Sequence, residues 1–111
     1  MGHTESVKRY YEAIDASDGD ALRAVLDPGF RHDRPDRTLD GRERFVEFML
    51  HERPQTDTTH TVDTLFVPED GDASVAAHGR LFDSDGEEMF AFIDLFTLEN
   101  GSIVGLQTFT K

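Results

Sequence analysis

Residues 89–96 read Met-Phe-Ala-Phe-Ile-Asp-Leu-Phe, an apolar run that only Asp94 interrupts. Such a run is typical of a β-strand that is buried on both faces. An unpaired carboxylate is costly there, so we expect Asp94 to keep its proton and to act as a hydrogen-bond donor. The strand period of two puts Asp94 on one face with Phe90, Phe92 and Phe96, and we expect this face to line a pocket.

The opposite face of the same strand is also apolar, since it carries Met89, Ala91, Ile93 and Leu95. A sheet that its own helices cover on one side only should show polar residues on its other side. We therefore predict a homodimer that forms through the outer face of the sheet. The alternative is that a loop of the same chain covers this face.

The second half of the chain has the pattern of an antiparallel meander. Turn sequences at 68–72, 83–86 and 99–101 are rich in Asp, Gly and Asn and separate segments of period two. The predicted strands span roughly residues 57–67, 73–82, 87–98 and 102–110. Asn100 precedes Gly101 and Ser102, and we interpret this triplet as hairpin-turn chemistry rather than as a glycosylation site.

The first half has helical periodicity. Thr4 is a predicted cap for a helix whose apolar residues occupy one stripe, and Asp18 is a predicted cap for a second, short helix that residues 27–29 end. A short extended piece follows at residues 30–33. Asp40, with Glu43 three residues later, predicts the start of a third helix that Arg53 and Pro54 end. The stripe of the first helix consists of Val7, Tyr10, Tyr11 and Ile14.

Helices followed by a curved antiparallel sheet predict an α+β fold, and 111 residues predict a single domain over residues 1–111. The absence of cysteine excludes thiolate catalysis and cysteine-ligated metals, and no histidine pair has the spacing of a metal site. There is no apolar run of membrane-spanning length and no secretory signal pattern, which favours a cytoplasmic location.

The net charge of −12 argues against binding to nucleic acid or to an anionic membrane surface, because both require basic patches. The acids are spread along the chain and indicate a solvated acidic surface of the kind adapted to high salt. Melting temperature measured against salt concentration tests this hypothesis, and little or no gain at molar salt would contradict it.

Six segments, spread over nearly the whole chain, together carry a family resemblance: residues 7–14 (Val-Lys-Arg-Tyr-Tyr-Glu-Ala-Ile), 18–20 (Asp-Gly-Asp), 30–33 (Phe-Arg-His-Asp), 40–42 (Asp-Gly-Arg), 92–96 (Phe-Ile-Asp-Leu-Phe) and 100–101 (Asn-Gly). In these segments the chain resembles the superfamily of nuclear transport factor 2, SnoaL-like cyclases and ketosteroid isomerases. The resemblance implies a cone, in which the sheet wraps around the helices and leaves an apolar cavity.

Carried over residue by residue, the resemblance implies three catalytic residues. Tyr10 matches the tyrosine that donates to the oxyanion in ketosteroid isomerases, Asp94 matches its protonated aspartic partner, and Asp33 matches the general base. Such a site moves a proton next to a ketone without metal or cofactor. Tyr11 competes with Tyr10 for the donor role. Isomerases place a proline directly after the base, whereas here Arg34 follows Asp33.

The expected ligand is an apolar small molecule such as a steroid, polyketide or terpenoid. A non-catalytic module that binds such a ligand or that dimerises is the alternative, as is an epoxide hydrolase in which Arg80 pairs with Asp94 across the sheet. His32 and His78 are further candidates for proton transfer. The predicted pocket consists of Tyr10, Ile14, Phe30, His32, Phe45, Phe48, Met49, His78, Phe90, Phe92, Phe96, Leu106 and Thr108.

Overall fold

The computed structural model describes residues 2–53, 57–69 and 73–111. In chain order its elements are α1 (His3–Asp15), α2 (Gly19–Val25), β1 (Leu26–Asp33), β2 (Thr38–Asp40), α3 (Arg42–Glu47) with a π-helical continuation (Phe48–Glu52), β3 (Thr59–Phe66), β4 (Ser74–Phe82), β5 (Glu88–Glu99) and β6 (Ser102–Thr110). All the helices lie in the first half, together with the strands β1 and β2, and the second half consists of the strands β3 to β6, which confirms the α+β prediction.

The sheet has six strands in the order β2-β1-β6-β5-β4-β3. The four C-terminal strands form the predicted antiparallel meander. The extended piece before α3 is longer than predicted: it begins at Leu26, takes in residues 27–29, pairs parallel to β6 and is joined by the short strand β2. The sheet is therefore mixed and not wholly antiparallel as predicted, because β1 lies between β2, to which it is antiparallel, and β6, to which it is parallel.

The helices pack on one face of this curved sheet, which we call the inner face. Alternate residues of β4 and β5 are buried against the helices, as the period of two requires. The other, outer face carries the partly exposed residues of the same strands. The core between helices and sheet has large aromatic members with almost no exposure: Phe30, Phe45, Phe48 and Phe96.

Helix boundaries differ in detail from the prediction. Asp18 caps α2 as predicted, since its carboxylate accepts the backbone N–H of Ala21 at 3.1 Å. Thr4 is not a cap, because α1 begins at His3 after the extended Gly2. Asp40 ends β2 instead of capping α3.

Helix α3 begins after Gly41, whose φ of 98° suits glycine.

The turn at the end of β5 is the predicted Asn-Gly hairpin, with φ of 52° at Asn100 and 83° at Gly101. The turn after β4 closes through the N–H of Gly86, which donates to the carbonyl of Asp83 at 3.0 Å. Pro54, at the predicted end of α3, and residues 70–72 of the predicted turn at 68–72 lie outside the described residues. None of the described helices is long and apolar enough to cross a membrane.

Candidate functional site

Asp94 lies in the middle of β5 on the inner face, where only 5% of it is exposed. Two hydroxyl groups hold its carboxyl group. The Tyr11 hydroxyl donates to Oδ2 at 2.6 Å, and the Thr108 hydroxyl donates to Oδ1 at 2.6 Å. Tyr11 comes from α1 and Thr108 from β6, directly opposite Asp94 in the β5–β6 register. The acid is thus fixed from a helix and from the neighbouring strand.

Burial raises the pKa of Asp94 above its usual range, and the hydrogen bonds from Thr108 and Tyr11 oppose part of that rise. A carboxyl group has about four lone-pair positions. Asp94 can therefore accept the hydrogen bonds from both hydroxyl groups and still carry its own proton at another lone-pair position. In that form it is a hydrogen-bond donor toward whatever lies beside it.

His32 extends this hydrogen-bond chain on the side of Thr108. Its Nε2 lies 2.7 Å from the Thr108 hydroxyl oxygen, and its Nδ1 is enclosed with no partner among the described residues. An unpaired buried acceptor is tolerated better than an unpaired N–H, so the arrangement favours a proton on Nε2 that is donated to Thr108. Burial, assisted by the charge of Arg34, lowers the pKa of His32 to about 3, and the ring is neutral.

A cavity of about 250 Å³ opens beside Asp94 on the inner face. Of the predicted site residues, seven line it: Tyr10, His32, Met49, Phe90, Phe92, Asp94 and Thr108. The other residues of its wall are Arg34, Pro35, Arg53, Thr58, His60, Leu81, Met89 and Thr110. The wall therefore combines aromatic and aliphatic surface with a small number of polar groups, as small-molecule sites do.

Two backbone features shape this wall. Gly79 lies beside Phe92, and a Cβ at Gly79 would come within 2.7 Å of the Phe92 ring and would clash with the Thr61 carbonyl oxygen. A bulge in β5 leaves Met89 without a partner in the β4 register. Because a bulge re-aims side chains, Met89 reaches the cavity mouth even though the strand pattern predicts it on the outer face.

The remaining predicted pocket residues do not line the cavity. Six of them pack in the hydrophobic core: Ile14, Phe30, Phe45, Phe48, Phe96 and Leu106. His78 lies between the buried residues Ala77 and Gly79 of β4, so it belongs to the outer face and does not reach the cavity. The predicted lining was too large because the sequence pattern marks a buried face without showing where side chains fill it.

Asp33 does not reach the cavity either. Its neighbour His32 takes the inner position at the end of β1, so Asp33 points to the outer face. There it accepts hydrogen bonds from Thr38 at 3.0 Å and from Arg31 at 3.3 Å. The Thr38 hydroxyl, followed by Arg31, lowers the pKa of Asp33, which is an exposed anion. The structure therefore does not bring the predicted base together with Asp94.

The sequence left open whether Tyr10 or Tyr11 is the hydrogen-bond donor of the site, and the structure gives the two residues different positions. Tyr11 holds Asp94, whereas the Tyr10 ring packs at 5.3 Å from Phe96 and lines the cavity. The Tyr10 hydroxyl has no hydrogen-bond partner within the described part of the chain. Since a buried tyrosine hydroxyl normally has a partner, Tyr10 is available to donate to a ligand.

His60 lines the cavity, although the sequence analysis did not select it as a site residue. Its Nδ1 lies 2.7 Å from a carboxylate oxygen of Asp15, which also accepts the His60 backbone N–H. The ring packs against Tyr11 and Phe92 and lines the cavity. The sequence signal for its inner position is that His60 lies two residues before Val62 on β3, so the two side chains share a face, and Val62 is apolar and partly buried.

The Asp15–His60 pair has the geometry of an oriented base. A carboxylate at Nδ1 favours the tautomer with its proton on Nδ1, and this leaves the lone pair on Nε2. The His60 side chain is 15% exposed and that of Asp15 is 25% exposed, so the pair is mostly shielded from solvent.

The predicted pair between Arg80 and Asp94 is wrong. Arg80 donates to Asp63 at 2.9 and 3.0 Å on the outer face, and the Asp94 carboxyl group is taken by Tyr11 and Thr108. Arg80 is an outer residue of β4, whereas Asp94 is an inner residue of β5. Within the described ranges, no cluster of three or more His, Asp or Glu side chains has the arrangement of a metal site.

The sequence profile of the SnoaL-like domain matches residues 7–106. The chain therefore belongs to the SnoaL-like domain family. A search of curated protein sequences finds no match to this chain.

Solved structures with the same fold include proteins of several named activities. A candidate ketosteroid isomerase from Kribbella flavida is 20% identical, with a TM-score of 0.84 over 98% of this chain and 77% of its own. A candidate SnoaL-like polyketide cyclase from Jannaschia sp. is 22% identical, with a TM-score of 0.81 over 98% of this chain and 85% of its own. An LEH-like epoxide hydrolase from M. tuberculosis is 14% identical, with a TM-score of 0.78 over 98% of this chain and 82% of its own. At these identities the likeness shows the nuclear transport factor 2-like fold alone.

Proposed function

We propose that this protein catalyses proton transfer at carbon next to a carbonyl group of a small apolar ligand, as an isomerase or cyclase does. The observation that carries the proposal is that Asp94 is buried in the cavity wall, where two hydroxyl groups hold it and burial raises its pKa. A neutral acid of this kind can stabilise negative charge on a carbonyl oxygen, which is usually a large part of catalysis.

In the proposed reaction, the carbonyl oxygen of the ligand accepts hydrogen bonds from neutral Asp94 and from Tyr10. His60, oriented by Asp15, takes a proton from the neighbouring carbon through Nε2. The C–H electron pair forms the enolate, whose charge lies on the oxygen held by the two donors. The histidine then returns the proton to the same or to a conjugated carbon. His60 takes the role that the family resemblance assigns to Asp33, and the chemistry requires no metal or cofactor.

The cavity volume favours a ligand with one or two rings. An apolar cavity of about 150 Å³ in another protein binds benzene, so about 250 Å³ suits a bicyclic body better than the four rings of a steroid. A small polyketide or a monoterpenoid ketone has this size.

Deuterium exchange into 2-tetralone tests the proposal without knowledge of the natural substrate. This bicyclic ketone exchanges the protons next to its carbonyl in heavy water, and proton NMR measures the rate. We expect the wild type to exceed the buffer rate, Asp94→Asn to lose about 10²- to 10³-fold, and His60→Gln about 10²- to 10⁴-fold. Asp33→Asn is the matched control, and its rate should equal that of the wild type.

A non-catalytic module that binds the same apolar ligand is the second candidate, and the outward position of Asp33 favours it. Thermal shift with 2-tetralone separates the two functions. Binding without any exchange above the buffer rate favours the module. Absence of both binding and exchange contradicts both functions.

The proposed partner is a second copy of the chain on the outer face of the sheet. Its apolar residues Leu95 and Phe109 are 41% and 49% exposed in the single chain, and Phe66 is 55% exposed. Such a patch supports association. Sedimentation should show a dimer at micromolar concentration, and a monomer there would contradict this partner.

A further inference from the structure

Two arginine side chains lie in the cavity wall of a protein that is otherwise strongly acidic. The protein carries a net charge of −12, yet among the described residues of the cavity wall Arg34 and Arg53 carry fixed positive charge and Asp94 is the acid. Burial raises the pKa of Asp94, and Asp36, the ion-pair partner of Arg34, does not line the wall. Two guanidinium groups beside an apolar surface are complementary to an apolar ligand that carries a negatively charged group.

Arg53 is held in place at the end of the π-helical turn. Its Nε donates to the Met49 carbonyl oxygen at 2.9 Å, and its Nη1 donates to the Thr58 hydroxyl at 3.0 Å. Burial is the main cause that lowers the pKa of Arg53, and the like charge of Arg34 is a smaller one. The arginine nevertheless stays charged. Arg34 and Arg53 border the same cavity, and an anionic group between them could pair with both guanidinium groups.

Arg34 approaches from the end of β1. Its guanidinium carbon lies 4.9 Å from the centre of the Phe48 ring, and its Nε donates to Asp36 at 3.3 Å. The side chain is 26% exposed, so it stands at the boundary between cavity and solvent. The ring contact fixes the plane of the guanidinium group while leaving further N–H donors for a ligand.

We propose that the ligand of this cavity is an apolar carboxylate with one or two rings, whose carboxylate group lies between Arg34 and Arg53. The inference rests on the proposed function and names the substrate class of the same site. The apolar body lies against Phe90 and Phe92, and the reacting carbonyl is the one that faces Asp94. The planar arginine fork matches a carboxylate in shape and charge.

Two isosteric probes test the inference, namely 2-naphthoate and 2-naphthamide, which share the bicyclic body and differ in charge. Calorimetry at fixed salt measures both affinities, and competition with 2-tetralone confirms that they occupy the same cavity. Because hydrogen bonds to charged groups contribute about 1.5–3 kcal/mol, we expect 2-naphthoate to bind at least about ten-fold more tightly. Arg34→Gln and Arg53→Gln should each reduce this ratio several-fold.

The affinity for 2-naphthamide is the internal control for folding, and it should be the same in both variants as in the wild type. Arg80→Gln, on the outer face, should leave both affinities unchanged. Equal affinities for the two probes, or an unchanged ratio in both cavity variants, would overturn the carboxylate inference while the proposed function stands. If neither probe binds, the inference and the apolar cavity of the proposed function fail together.

Discussion

The inner and outer faces of the sheet each carry an aspartate, and the two are in opposite states. Asp94 on the inner face is buried, and burial raises its pKa. Asp33 on the outer face has a side chain that is 45% exposed, and its hydrogen bond with Thr38 lowers its pKa. The face of the sheet on which an aspartate lies, and not its residue type, therefore decides whether the acid can donate a proton.

Phe96→Ala and Phe109→Ala make the same change on the two faces and should give the largest difference. Phe96 is 1% exposed, whereas Phe109 is 49% exposed. Removing a buried phenylalanine leaves a cavity and should cost about 3–5 kcal/mol in the free energy of unfolding. The Phe109 change should cost less than about 1 kcal/mol in the monomer. Urea denaturation at several protein concentrations measures both.

The concentration series also tests the dimer. The loss from Phe96→Ala should not depend on protein concentration, because the side chain packs within one chain. The loss from Phe109→Ala should grow with concentration if the outer face is buried between two copies. Equal losses for the two variants at low concentration would contradict the contrast between the faces.

The neutral His32 predicts a loss of stability in acid. Its folded pKa of about 3 is lower than the ordinary value, so the folded state binds fewer protons than the unfolded state. The contribution is present above the unfolded pKa of about 6.5 and is lost as the pH falls through 3. Between pH 7 and pH 5 the wild type should lose about 2 kcal/mol more stability than His32→Gln. Denaturant unfolding at both pH values measures this difference, and equal losses would argue against a neutral buried ring.

Asp33→Asn should have the smallest effect. Its partners Arg31 and Thr38 are exposed, and solvent screens such contacts. We expect no loss of stability at pH 7 beyond the scatter of replicate measurements. A thermal melt beside the wild type measures it, and a clear drop in melting temperature would show a structural role that the geometry does not explain.

Much of the sheet could be predicted because strands of period two between Asn, Asp and Gly turns depend on local sequence. The inner position of Asp94 and the four C-terminal strands follow from it. The pairing of β1 with β6 could not be predicted, since a parallel contact between distant segments leaves no local pattern.

The site was less predictable because it depends on how elements dock. Tyr10 and Tyr11 are adjacent on α1 and both are buried, so only the packed helix shows that Tyr11 reaches Asp94. The pairing of His60 with Asp15 joins residues 45 positions apart, and no spacing rule connects them. On β1, the family match favours Asp33, whereas strand alternation gives the inner place to His32.

The most direct test of the account is the titration of Asp94 and Asp33 in one sample, followed by carbon-13 NMR of their side-chain carboxyl groups. We expect Asp94 to titrate above the ordinary aspartate range and Asp33 below it, because burial raises the pKa of Asp94 and hydrogen bonds lower the pKa of Asp33. An Asp94 that titrates at or below the pH of Asp33 would contradict the claim that the inner acid is a neutral proton donor.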